Sequence, residues 1–292
     1  MEHTLKSDAD AAAIGDSKPS QKFLELPPAR ARGRLPADRP TLLVGGMLAA
    51  TTLAAWAGVL VHAGATGADM TIYTSVQGGS QLASAVEFLG AWMVMMTAMM
   101  LPSAGPFVLL YRVAAPGSRA VNTIPIVAGY LVMWAVFGAM VYAAQQALVT
   151  VTDANRIWAN AQPYTGAGIL AIAGVYQFTS LKRACLRKCR SPLDFLLQRW
   201  RGPGAFDALR LGVEHGAYCV GCCWGLMAVL VISGAMSLLW VVLIALIVFM
   251  EKLMPFGERG AQLSGVGLGL LALLVAVRPD LSILLRAGGA GM

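Results

Sequence analysis

Long apolar runs separated by short polar or basic segments dominate the chain. Runs able to cross the hydrocarbon core of a bilayer occupy positions 42–62, 88–111, 124–149, 163–181, 217–236, 238–254 and 263–277. The last two are short, and Met236-Ser237-Leu238 leaves little room for a turn. The pattern predicts an all-α fold, a polytopic membrane helix bundle of seven spans, or six if either short run is re-entrant. After the fourth run the period changes. Leu193, Leu196, Leu197 and Trp200 recur at helical spacing beside Asp194, Arg199 and Arg201, the pattern of a short helix lying in the membrane interface.

The ends of the chain read differently. Residues 1–41 carry seven basic and six acidic side chains with Pro19, Pro27, Pro28, Pro36 and Pro40. Such a segment buries no core and is expected to be a disordered tail. It is too long and polar for the n-region of a signal peptide, so the first span reads as a signal anchor. The bundle is expected over 42–280, with a short C-terminal tail over 281–292.

Composition agrees with this class, at 57% hydrophobic and 13% charged residues. The net charge of +7 invites thoughts of an acidic or nucleic-acid partner, but its distribution argues otherwise. With the N-terminus in the cytoplasm, 19 of the 22 Lys and Arg fall on the inner side, leaving Arg156, Arg278 and Arg286 outside. That asymmetry orients spans. The expected setting is therefore a multi-pass protein of the inner (plasma) membrane, with the lipid bilayer as partner and no nucleic acid.

Chemistry concentrates in His215-Gly-Ala-Tyr-Cys-Val-Gly-Cys-Cys-Trp-Gly-Leu-Met227. At about 100° per residue, His215, Cys219 and Cys222 share roughly 60° of helical arc, and Cys223 borders them. The stretch is expected in the first turns of the fifth span, at the bilayer's edge. Soft thiol and imidazole ligands on one face suit Cu(I) or Zn(II) rather than Mg or Ca. The plainer reading is that cysteine is a small hydrophobe common in apolar helices. Three cysteines in register with a histidine favour the metal.

A second anomaly is Trp92-Met-Val-Met-Met-Thr-Ala-Met-Met-Leu-Pro102, with five of the fifteen methionines in eight residues. Met93, Met96 and Met100 share a face, with Met99 beside it. Methionine fills irregular packing gaps, yet its thioether also binds Cu(I) selectively over Zn(II). Relay and packing readings weigh evenly here. Pro102 and Pro106 predict a kink or break. Cys185 and Cys189 stand i, i+4 in a basic stretch, suited to a shared ligand role or to palmitoylation. Both cysteine groups fall on the expected cytoplasmic side, where thiols stay reduced. Glu251, beside Lys252, reads first as an end charge and second as an ionised group facing the site. His62 reads as an interfacial residue, and Gly265 and Gly269 as a close-packing face.

Together these stretches resemble a little-characterised bacterial family of integral membrane proteins described as predicted metal-binding. The likeness covers roughly 85–275 and rests on 92–102, 185–192, 215–227 and 251–257. It implies His215, Cys219, Cys222, Cys223, Cys185, Cys189, Met93, Met96, Met99 and Met100 as metal ligands. In that family an Asn often stands where this chain has Ser237, so a role for that Asn does not carry over.

Three functions fit to different degrees. The first holds or relays Cu(I), with Zn(II) as the other candidate metal, and exchanges it with a copper-donor or copper-acceptor protein. No Walker-type loop is present to drive it with ATP, and Glu251 is the candidate proton-coupled group. The second is a membrane thiol–disulfide oxidoreductase using Cys219 and Cys222, which the expected topology disfavours. The third, a metal-dependent membrane enzyme, needs an open coordination position and an acid or base, for which only His215, Glu214 and Glu251 offer themselves.

Overall fold

The computed structural model describes residues 39–66, 80–114, 123–154, 162–232 and 238–278. The expected disordered tail (except its last three residues), the C-terminal tail, the centre of the 63–86 loop and most of the loop bearing Arg156 lie outside the described residues.

Among the described residues every regular element is an α-helix. In chain order these are α1 (Arg39–Thr66), α2 (Gln81–Ala114), α3 (Thr123–Ala154), α4 (Gln162–Tyr176), α5 (Ser180–Arg190), α6 (Pro192–Arg199), α7 (Ala205–Ile232), α8 (Leu238–Leu253) and α9 (Gly257–Val277). Five of them, α1, α2, α3, α7 and α9, are long and apolar enough to cross a membrane. The runs expected at 163–181 and 238–254 form α4 and α8, of only 15 and 16 residues. A spanning helix needs about 20 apolar residues, so these two are shorter than the sequence reading of seven spans assumed.

Local chemistry explains the differences in boundaries. The fourth run does not continue to Leu181. It stops at Tyr176, and Thr179 caps a new helix by accepting the Lys182 backbone N–H at 3.2 Å on Oγ1. Pro192 then occupies the first turn of α6, where its missing N–H costs nothing. In α6 Phe195 and Leu196 are buried while Leu193 and Leu197 are exposed, so the buried pair differs from the expected leucine stripe.

The helix expected as the fifth span, α7, begins at Ala205, twelve positions before the expected 217. Hydropathy hid this start because Asp207, Arg210 and Glu214 are charged; inside the helix Arg210 Nε donates to Glu214 at 3.0 Å, at i, i+4 spacing. His215 to Cys223 therefore lie well inside α7 and not in its first turns. The expected break at Pro102 and Pro106 is also absent, since α2 is helical throughout. In this stretch the Met100 carbonyl accepts Ser103 Oγ at 2.8 Å and Tyr130 OH at 3.2 Å.

Packing is centred on α7, which lies against α3, α4, α5 and α8; α9 packs on α4 and α1 on α2. Glycine permits the α3–α7 approach. A Cβ on Gly129 would collide with the Leu209 carbonyl, and one on Gly212 with the Ile126 carbonyl. Gly265 sits in a tight contact too, with a hypothetical Cβ 2.7 Å from the Phe178 ring, 2.8 Å from Gln177 Cβ and 3.0 Å from the Gly174 oxygen, as the small-residue pattern predicts. Trp92, Met96, Met100 and Trp134 are sealed inside, whereas Leu43, Leu53 and Val61 of α1 and Leu270, Leu273 and Val277 of α9 are exposed.

Candidate metal centre

The site forms where α2, α5, α7 and α8 converge. On α7, Cys219, Cys222 and Cys223 are all buried. Cys222 Sγ donates to the Cys219 carbonyl at 3.2 Å and lies 3.3 Å from Cys223 Sγ. From α5, Cys189 brings its sulfur to 3.9 Å from Cys222 Sγ, closing a gap of 33 positions. Cys219 lies in the same buried cluster, against which Cys189 also packs. Four of the five thiols thus form one cluster, and all five are free. Cys185 stands apart. It packs against the α7 backbone at Gly221, where an added Cβ would stand 2.8 Å from its sulfur. Burial pushes its thiol pKa up.

Cys219 has two further neighbours that sequence reasoning missed. Lys252 Nζ donates to Cys219 Sγ at 2.9 Å and to Ser103 Oγ at 3.2 Å, and reaches Met100 Sδ at 3.7 Å. Tyr130 OH lies 3.0 Å from the same sulfur. In sequence terms Lys252 is one more charge at the end of an apolar run, and the run 124–149 carries no charged residue at all. The available signal was two adjacent charges at the end of a helix otherwise apolar along its length; nothing marked Tyr130.

Glu251 is not an end charge exposed at a boundary. It is buried, paired with Lys182 Nζ at 2.6 Å, and accepts Ser264 Oγ at 3.0 Å. Arg190 donates to the Met254 and Pro255 carbonyls at 2.7 and 3.0 Å, which fixes α5 against the turn between α8 and α9.

His215 occupies an aromatic setting. Its ring stacks on Phe107 with centroids 4.1 Å apart and meets Phe195 edge-on at 5.3 Å. It is buried, and Nδ1 has no hydrogen-bond partner. Of the methionines in the 93–100 run, Met95, Met96, Met99 and Met100 are buried and Met93 only partly so. Met100 is the one with a described polar contact into the thiol cluster, through Lys252.

The donor set fits a soft cation. With metal–sulfur bonds of about 2.3 Å, two sulfurs on one tetrahedral ion stand about 3.8 Å apart. The Cys189–Cys222 separation of 3.9 Å matches this, whereas 3.3 Å between Cys222 and Cys223 requires one side chain to turn. Among the described residues no group of three or more His, Cys, Asp or Glu side chains is arranged around a common point for a metal ion. The sulfurs instead hydrogen-bond to one another, to Tyr130 and to Lys252.

Comparison with known proteins agrees with this chemistry. No curated protein and no solved structure matches the chain. A family model described as copper chaperone, PpoB2, matches residues 89–275, which include every residue of the cluster. The match covers well over half of the sequence, and the chain belongs to the PpoB2 copper chaperone family.

Proposed function

We propose that this protein is an integral membrane copper chaperone that takes Cu(I) as cargo on Cys219, Cys222, Cys223 and Cys189 and exchanges it through Met100 with the methionines of α2. The observation that carries this reading is the convergence of Cys189 on Cys222, 3.9 Å apart, from separate helices. Buried thiols and thioethers give the soft, exchangeable ligand set that Cu(I) prefers. Family membership supports copper as the metal, and the buried thiols are the residues this reading assigns to it. His215 would join as a ligand only by turning out of its aromatic stack, which its unpaired Nδ1 would favour. Cys185 is a packing residue on Gly221 in this reading.

The membrane setting is supported by five helices of spanning length and by leucine and valine side chains on the outer faces of α1 and α9. In water such a surface would be costly to leave exposed. The charge distribution supports an inward N-terminus. A donor or acceptor protein on the side of α5 and α6 is the expected exchange partner.

Cu(I) stoichiometry of purified protein under chelator competition tests the reading. About one ion or more per chain is expected, and loss of it on combined Cys219→Ser and Cys222→Ser substitution. Full retention in that double variant would remove the cluster from consideration. The oxidoreductase alternative shifts, on this geometry, from Cys219/Cys222 to Cys189/Cys222, whose sulfurs approach from separate helices rather than from adjacent residues. A catalytic disulfide there would appear as thiol loss on oxidation that Cys189→Ser abolishes.

A further inference from the structure

We infer that Lys252 sets the charge selectivity of the cargo site: its ammonium holds the position that a soft cation would take, and its retained charge favours a monovalent over a divalent metal. The inference rests on the copper reading above and adds a residue that binds no metal itself.

Three observations carry it. First, the contacts of Lys252 Nζ are those a Cu(I) ion would make. It reaches a thiol sulfur, Cys219 Sγ at 2.9 Å, and a thioether sulfur, Met100 Sδ at 3.7 Å, with Ser103 Oγ at 3.2 Å alongside. A metal on Cys219 and Met100 and an ammonium on both cannot occupy the same point. Loading therefore requires Nζ to move, and its flexible four-carbon stem allows this. Ser103 Oγ is an acceptor already within reach.

Second, the side chain cannot swing out to solvent. Lys252 is buried, so an ammonium displaced by a few ångströms still faces the site across a medium that screens poorly. Third, the adjacent carboxylate does not neutralise it. Glu251 is taken by Lys182 Nζ at 2.6 Å and by Ser264 at 3.0 Å, leaving the sulfurs and Tyr130 as the groups facing Lys252. A fixed positive charge repels a divalent ion twice as strongly as a monovalent one at equal distance. Thiolate ligands alone would not discriminate this way, since Zn(II) also binds them well.

The test measures Cu(I), Ag(I) and Zn(II) affinity on full-length purified protein by chelator competition, for the native chain, Lys252→Met, Lys252→Gln and Lys252→Arg. The neutral variants are expected to raise the Zn(II)-to-Cu(I) affinity ratio about tenfold or more, with Lys252→Arg near the native ratio. Lys252→Gln retains a donor for Ser103 and serves if Lys252→Met fails to fold. An unchanged ratio in a folded neutral variant overturns the inference while leaving the copper reading standing. If both neutral variants fail to fold and Lys252→Arg folds, the charge serves structure and the selectivity role is likewise overturned. A native protein that binds no Cu(I) on its thiols sinks the copper reading first, and this inference with it.

Discussion

Lys182 and Glu251 form an ion pair 2.6 Å long that is almost sealed from solvent, with side-chain exposures of 1% and 2%. It joins α5 to α8, and Ser264 Oγ adds a third element by donating to the other carboxylate oxygen. α5 carries Cys189, so the pair holds one wall of the thiol cluster in position. Breaking a buried pair leaves an uncompensated charge, at a cost of about 3–5 kcal/mol. Glu251→Gln or Lys182→Met alone should therefore lower thermal stability sharply. The double variant Lys182→Met/Glu251→Leu should recover much of the loss, because neither charge is then stranded. Equal loss in the single and double variants would show that the pair does not act as a unit.

Cys189→Ser should weaken Cu(I) binding more than Cys185→Ser. Cys189 Sγ faces Cys222, while Cys185 Sγ packs on Gly221. Competition with a chromophoric Cu(I) chelator separates the two. The reverse order would place the α5 ligand at Cys185.

Changing Met96, Met99 and Met100 together to Leu removes three sulfurs at nearly constant volume, which in a core costs less than about 1.5 kcal/mol per site. Folding should persist. If thioethers pass the ion along α2, copper transfer to an acceptor chelator should slow while the thiol cluster still retains metal. Transfer at the native rate would make the methionine run a packing feature.

Helix spacing gives a prediction independent of metal. Gly212→Ala should strongly reduce accumulation of folded protein, since its Cβ would enter the Ile126 backbone carbonyl. Gly267→Ala meets nothing within 4 Å and should be neutral or mildly stabilising. Comparable yields of the two variants would contradict the close α3–α7 contact.

Topology can be read by thiol labelling, provided the reporter is exposed. Cys185 is a poor reporter: it is buried, and burial keeps more of it protonated and unreactive at a given pH. Arg201→Cys, at an exposed position between α6 and α7, is better. It should react only with reagent admitted to the cytoplasm. Labelling from outside would invert the proposed orientation.

The sequence by itself determined the class and the inventory. Apolar runs of spanning length, set off by basic segments, require helices, because isolated backbone groups cannot go unpaired in an apolar medium. The clustering of Cys219, Cys222 and Cys223, and of the methionines, is a property of local spacing and survives any tertiary arrangement. Local spacing could not say which distant groups meet these clusters. The facing of Cys189 toward Cys222 depends on α4 ending at Tyr176 and on the Thr179 cap that starts α5. Lys182 and Lys252 were indistinguishable from the basic residues that mark membrane boundaries, since hydropathy counts a charge without its partner. Only the packing of α2, α5, α7, α8 and α9 buries both ammoniums, placing one on Glu251 and the other on Cys219. The early start of α7 was hidden for the same reason: Arg210 and Glu214 neutralise each other only once the helix exists.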